Sequence, residues 1–114
     1  MNLRYHKSLT PQKWETFPFS RQILMIANEL NRAGNWIRKD DSSETKNCYE
    51  RAIELLWLTV ETLKEKRKLR ELLRFRGLVA RSYLSPPLNV AENEKLSAVL
   101  LTLDPKSYNI LYKK

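Results

Sequence analysis

Apolar residues return every three or four positions in four stretches of the chain, the spacing of helices that each bury one face. In the first stretch, Ile23, Ile26, Ala27, Leu30, Ala33 and Ile37 form one stripe, which predicts a helix over residues 20–39. In the second, over 44–63, the stripe is Tyr49, Ala52, Ile53, Leu56, Val60 and Leu63, and Cys48, Leu55 and Leu58 widen it to a second face. A helix apolar on that much of its surface is expected to be central and to touch more than one neighbour. Leu69, Leu72, Leu73, Val79, Ala80 and Tyr83 mark the expected buried side of a third helix over 67–83. Leu96, Val99, Leu100 and Leu103 do the same for a fourth over 90–103.

The residues between these stretches read as caps and turns. The polar run DDSSE ends the first helix, and Asp41 is placed to cap the second, with Glu44 at the box position three residues on. Asn89 and Glu92 repeat that arrangement before the fourth helix. Within an N-terminal arm of residues 1–19, Thr10 followed by Pro11 predicts a short helical turn. Trp14, Phe17 and Phe19 are expected to fold over one end of the core. Asp104 and Pro105 open a tail helix over 105–112 that presents Tyr108, Leu111 and Tyr112. Neither proline nor glycine separates the second and third helices. A tight turn over Lys64–Lys68 is expected there, with one continuous helix as the alternative. There are only two glycines, Gly34 and Gly77, fewer than a sheet of hairpins asks for. The pattern predicts a single all-α domain, an antiparallel up-and-down four-helix bundle with an N-terminal arm and a short tail helix.

Charge changes this picture at one place. The chain carries 21 Lys and Arg against 13 Asp and Glu, a formal net charge of +8. Residues 64–81 hold eight of the bases and two of the acids, a net +6, so the rest of the chain carries only +2. Lys66, Arg70, Arg74 and Arg81 can share one face of the third helix, with Arg67 beside them. Such a row suits phosphates or an acidic protein groove. The competing structural expectation is that these bases pair with the second helix, whose Glu44, Glu50, Glu54 and Glu61 make it mildly acidic.

Catalytic chemistry is poorly supplied. His6 is the one histidine, and it lies in an arm expected to be mobile. One histidine and one cysteine cannot build a zinc site, a di-iron bundle site or a Cys–His nucleophile pair. The lone Cys48 also excludes an internal disulfide. No Gly-rich phosphate loop occurs. Glu50 and Glu54 stand at helical spacing, but a solvated face explains them more simply than an acid–base pair. Trp36 and Trp57 are expected in helix packing, and an exposed Trp57 would mark a partner surface. The N-terminus has no apolar run suited to a signal peptide, and no segment approaches the roughly 18 apolar residues of a membrane span. The expectation is a cytoplasmic, non-enzymatic protein without metal or cofactor.

Two short stretches resemble known families. In AGNWIRKDDSSETKNCYERAIELL, Ala33, Trp36, Asp40, Tyr49 and Ala52 stand at the spacings of a tetratricopeptide repeat, with Thr45 where a small residue is usual and Trp57 where the closing proline is usual. That resemblance implies a helical hairpin. The stretch CYERAIELLWLTVETL resembles the central helix of the HEPN-like nucleotidyltransferase-partner proteins, through Tyr49, Glu54, Leu55, Trp57 and Leu63. It implies a small four-helix bundle, often dimeric, that pairs with a minimal nucleotidyltransferase in toxin–antitoxin modules. The ribonuclease branch of that group uses an Arg and a His on a late helix. No histidine follows His6 here, so the resemblance implies a binding member without that active site. The leading expectation is thus a helical interaction module that binds a protein partner or itself, through Trp57 or the tail residues Tyr108 and Tyr112. The alternative is a nucleic-acid-associated bundle that uses Lys66, Arg67, Arg70, Arg74 and Arg81.

Overall fold

The computed structural model describes residues 3–105, and each of the four apolar stripes folds as a helix. With a short leading helix there are five: α1 (Pro11–Glu15), α2 (Phe19–Arg38), α3 (Ser42–Thr62), α4 (Lys66–Tyr83) and α5 (Val90–Thr102). No strand occurs among the described residues. The expected tail helix, with Tyr108, Leu111 and Tyr112, lies outside them apart from Pro105.

The helix starts follow the capping residues. Thr10 Oγ1 accepts the Lys13 amide, Asp41 Oδ1 the Glu44 amide at 3.0 Å, and Asn89 Oδ1 the Glu92 amide at 2.8 Å. The expected box at Asp41 closes differently. The Asp41 amide donates to Trp36 O, and the Glu44 carboxylate accepts from Asn47. The turn between α2 and α3 passes through Asp40 at φ 57°, a left-handed conformation that aspartate tolerates better than most residues.

α3 and α4 are separate. Leu63 and Glu65 are extended, with ψ near 120°, and no helical bond crosses them. The sequence LTVETL carries the reason. Thr59 and Thr62 turn their hydroxyls back onto Leu55 O and Leu58 O, which competes with the backbone for the carbonyls of the last turns.

α3 is the central element, packed against α1, α2 and α4, while α5 closes against α2 and α4. Trp14 plugs the end of the core where α1 crosses α3. It is fully buried, its indole N–H donates to Thr59 Oγ1 at 3.0 Å, and Gln22 covers its carbonyl. Burying that indole with its polar atom satisfied stabilises the fold by several kcal/mol, about 3–5 on truncation to alanine. At the α2–α5 crossing, buried Asn93 donates to Leu30 O at 3.0 Å and to Tyr49 Oη at 3.3 Å. Gly34 makes that crossing possible, because a Cβ there would stand 2.6 Å from Asn93 Oδ1.

One core expectation fails. Leu73 is 39% exposed, and Phe75 takes its place at 1%. The buried residues of α4 are Leu72, Phe75, Val79 and Ser82, an unbroken three- and four-residue spacing. Leu73 lies about 100° round the helix from Leu72, which carries it off that stripe.

Candidate interaction surfaces

The α3 flank consumes its own charges. Glu54, 4% exposed, accepts the backbone amides of Arg4 at 2.5 Å and Tyr5 at 2.9 Å, and His6 Nδ1 stands 3.5 Å from it. Glu50 accepts the Tyr5 hydroxyl at 2.6 Å and a short bond from the Tyr83 hydroxyl. The arm around His6, expected to be mobile, is therefore pinned along α3 through its backbone. Two carboxylates one helical turn apart supply a ladder of acceptors to a segment whose own amides have few partners.

The electrostatics of this latch follow from its geometry. Burial first, and then the bond to Glu50, push the Tyr83 hydroxyl up to about 12. The bond to Glu50 and burial push Tyr5 in the same direction. At Glu50, burial opposes ionisation, but the two donated hydroxyls and the nearby Arg4 and Lys46 outweigh it, and its carboxyl sits below the usual range. Glu50 is thus a fixed anion shared by two neutral phenols, suited to holding chain together. Cys48 is fully buried, and burial with nearby Glu29 raises its thiol, the opposite of what a reactive cysteine needs. Among the described residues no group of three or more His, Cys, Asp or Glu side chains is placed to hold a metal ion.

Trp57 is half-buried against the core beneath this arm. With Leu3, Leu9 and Pro11 it lines a groove of about 370 Å³. A larger cleft of about 640 Å³ lies at the other end of α3, between Ile37, the start of α3 and the Pro86–Leu88 loop, with Tyr83 and Lys46 on its wall. Its acids, Asp40 and Asp41, shape the turn and the cap described above.

α4 presents the opposite arrangement. Lys66, Arg67, Arg70, Arg74 and Arg81 are all exposed and lie together on the side turned away from Leu72, Phe75 and Val79. None of them reaches the acids of α3. Arg74 approaches only its own helix neighbour Glu71, at 3.5 Å. Lys66, Arg67, Arg70 and Arg81 pair with no acid among the described residues. Two other bases of the run meet acids: Lys64 lies 3.9 Å from Glu15, and Lys68 meets Glu65 at 3.3 Å and the ring of Phe19. The structural expectation for the basic run, pairing with α3, is therefore overturned. α4 packs Leu72, Phe75 and Val79 inward, which carries Lys66, Arg67, Arg70, Arg74 and Arg81 to its opposite side, and Glu50 and Glu54 are occupied by the arm and by Tyr83.

Apolar residues are interleaved with these bases. The exposed large hydrophobic residues among the described ones are Leu73, Leu78 and Leu84, at 39, 41 and 74%, and all lie on α4 or at its C-cap. Gly77 lies between them with nothing within 4 Å of where its Cβ would be. A signal for this mixture is present in the chain: the seven-residue repetition of Arg67, Arg74 and Arg81 beside Leu73 and Leu84. An apolar residue at 73, next to Leu72, is equally compatible with the core stripe, which hides that signal.

Neither a family model, nor a curated protein, nor a solved structure matches this chain.

Proposed function

We propose that this protein is a non-enzymatic helical interaction module that binds a protein partner through the outer face of α4. The observation that carries the reading is the coincidence, on one exposed helix surface, of Arg67, Arg70 and Arg81, which meet no acid among the described residues, with the uncovered leucines Leu73, Leu78 and Leu84; Arg74 meets only exposed Glu71 of its own helix. Uncompensated like charges on a helix destabilise it slightly, and exposed leucines gain nothing from solvent. Both are accounted for by a partner that supplies acids and apolar surface together. The scaffold we propose for it is the up-and-down antiparallel bundle, which the cyclic contacts of α2, α3, α4 and α5 support. The role of nucleotidyltransferase partner fits such a module and rests on the resemblance of α3 alone. Cytoplasmic residence is part of the same proposal; no described helix is long and apolar enough to cross a membrane.

A second reading, phosphate binding by the same arginines, draws on the absence of acids beside Arg67, Arg70 and Arg81 among the described residues. It leaves Leu73 and Leu78 unexplained, since phosphate contacts are made by charge and hydrogen bonds rather than apolar surface. A photocrosslinking residue at position 78, with one at exposed Asn28 on α2 as control, separates the two in the cells that make the protein. A discrete protein adduct specific to position 78 is expected. A nuclease-sensitive adduct selects the phosphate reading, and equal labelling at both positions overturns the assignment of the surface.

A further inference from the structure

Residues seven apart on a helix return to nearly the same face, and on α4 that repeat is visible on the open side. Leu73 and Ala80 share one line; Gly77 and Leu84 share the adjacent one. Together they form a seam of three- and four-residue steps from 73 to 84, exposed at Leu73, Gly77 and Leu84 and half-buried at Ala80. Arg67, Arg74 and Arg81 run along one edge of it, also seven apart. In paired helices the positions beside an apolar seam carry the charges that choose the partner and its direction. Here that edge is uniformly cationic, and no acid of the described residues reaches Arg67 or Arg81.

Resting on the reading of α4 as a protein-binding face, we infer that its occupant is a single amphipathic helix of another protein, apolar along its seam and acidic along the edge that meets Arg67, Arg74 and Arg81. Charge selects this occupant over a second copy of the chain. An antiparallel copy sets arginine against arginine along this edge, and a parallel copy brings Arg76 toward Arg81. Gly77 supplies the local shape. With no side chain and open space above it, it leaves a dimple between Leu73 and Leu84 that takes one bulky apolar side chain of the partner. The wild-type surface thus combines an apolar anchor point with a charged border, as interface centres and rims do.

The test uses the full chain and two synthetic helical peptides of identical composition, each with a leucine seam. One carries its glutamates beside the seam at seven-residue spacing, the other on the far face. Titration followed by fluorescence anisotropy is expected to show the first peptide binding about tenfold more tightly, the sum of a few interhelical pairs. Arg67→Glu, Arg74→Glu and Arg81→Glu together are expected to transfer the preference to a peptide with lysines in place of the glutamates. Gly77→Leu fills the dimple and is expected to weaken binding about tenfold, while circular dichroism and melting show the fold intact. Equal binding of the two glutamate peptides, or no binding of either, overturns the helical partner. Tighter binding of duplex DNA or of anionic lipid vesicles than of the matched peptide overturns it in favour of those surfaces. A position-78 protein adduct obtained alongside either result leaves the interaction-module reading standing and removes only the helix as its occupant.

Discussion

α3 and α4 are consecutive helices packed side by side, one edged with acids and the other with bases, and the two flanks end in opposite states. Along α3 the carboxylates of Glu50 and Glu54 are consumed by the arm and by Tyr83, so that flank is closed. Along α4 the guanidinium groups of Arg67, Arg70 and Arg81 meet no acid among the described residues, and leucines stand between them. Opposite charge on adjacent helices therefore does not by itself make them partners. Carboxylates that accept backbone amides in a buried setting gain more than they would from arginines they could meet only at the surface.

The two flanks respond differently to substitution. The largest effect is expected at Glu54. Glu54→Ala strips the acceptor from two arm amides and leaves His6 facing a cavity, which costs about 3 kcal/mol in urea unfolding. A loss below about 1 kcal/mol would show the arm to be dispensable and the α3 flank to be open after all.

The glycines give the next contrast, since both lie inside helices. Gly34→Ala drives a Cβ into Asn93 Oδ1 and is expected to destabilise by about 2 kcal/mol. Gly77→Ala meets nothing and is expected to stabilise by about 0.5–1 kcal/mol, the helix-propensity difference. Thermal melts of the two variants should therefore shift in opposite directions. A shift of the same sign would remove the distinction between a packed and an open glycine.

Tyr83→Phe removes one donor from Glu50 and is expected to cost about 1 kcal/mol. It also has a pH signature. Tyr83 ionises at a higher pH in the folded chain, about 12 against an ordinary 10, so its contribution is complete below pH 10 and is lost as pH rises from there toward 12. The variant should lose less stability across that alkaline window. Glu50 has the opposite sign: its lowered value means its contribution is present above the ordinary 4.5 and lost as pH falls below it. Denaturant midpoints measured across both windows check these directions.

The smallest effect on folding is expected on α4. Arg67→Ala, Arg74→Ala and Arg81→Ala should each change stability by less than about 0.5 kcal/mol, because the side chains are exposed and hold nothing together. Unfolding free energies near wild type, alongside impaired partner binding, would sharpen the contrast with Glu54. Losses above 1 kcal/mol would show that these arginines hold the fold.

Much of this was legible in the chain. The stripes of α2 and α3, the caps Thr10, Asp41 and Asn89, and the placing of Trp14 over one end of the core follow from local spacing and local hydrogen bonding, and the structure has each of them. Phe75 is hard to place from the chain alone although its spacing from Leu72 and Val79 is regular, because it sits inside the basic run while Leu73 offers an apolar residue beside Leu72. The latch was not legible. Tyr5 and Glu50 are 45 residues apart, Arg4 and Glu54 are 50 apart, and nothing near any of them in sequence announces the pairing. The tail residues Tyr108 and Tyr112 lie outside the described residues and enter neither side of the comparison.

The helical class, the capped helix starts at Thr10, Asp41 and Asn89, and the concentration of positive charge between residues 64 and 81 are set by the chain alone, whereas the break between α3 and α4 is not. These depend on a 3.6-residue period, on capping and on composition, all of which act within a few positions. Only the tertiary structure decided which charges were spent. Whether an acid or a base is free depends on what distant segments bring to it. The arm occupies Glu50 and Glu54 of α3, and the inward packing of Leu72, Phe75 and Val79 turns the arginines of α4 to solvent.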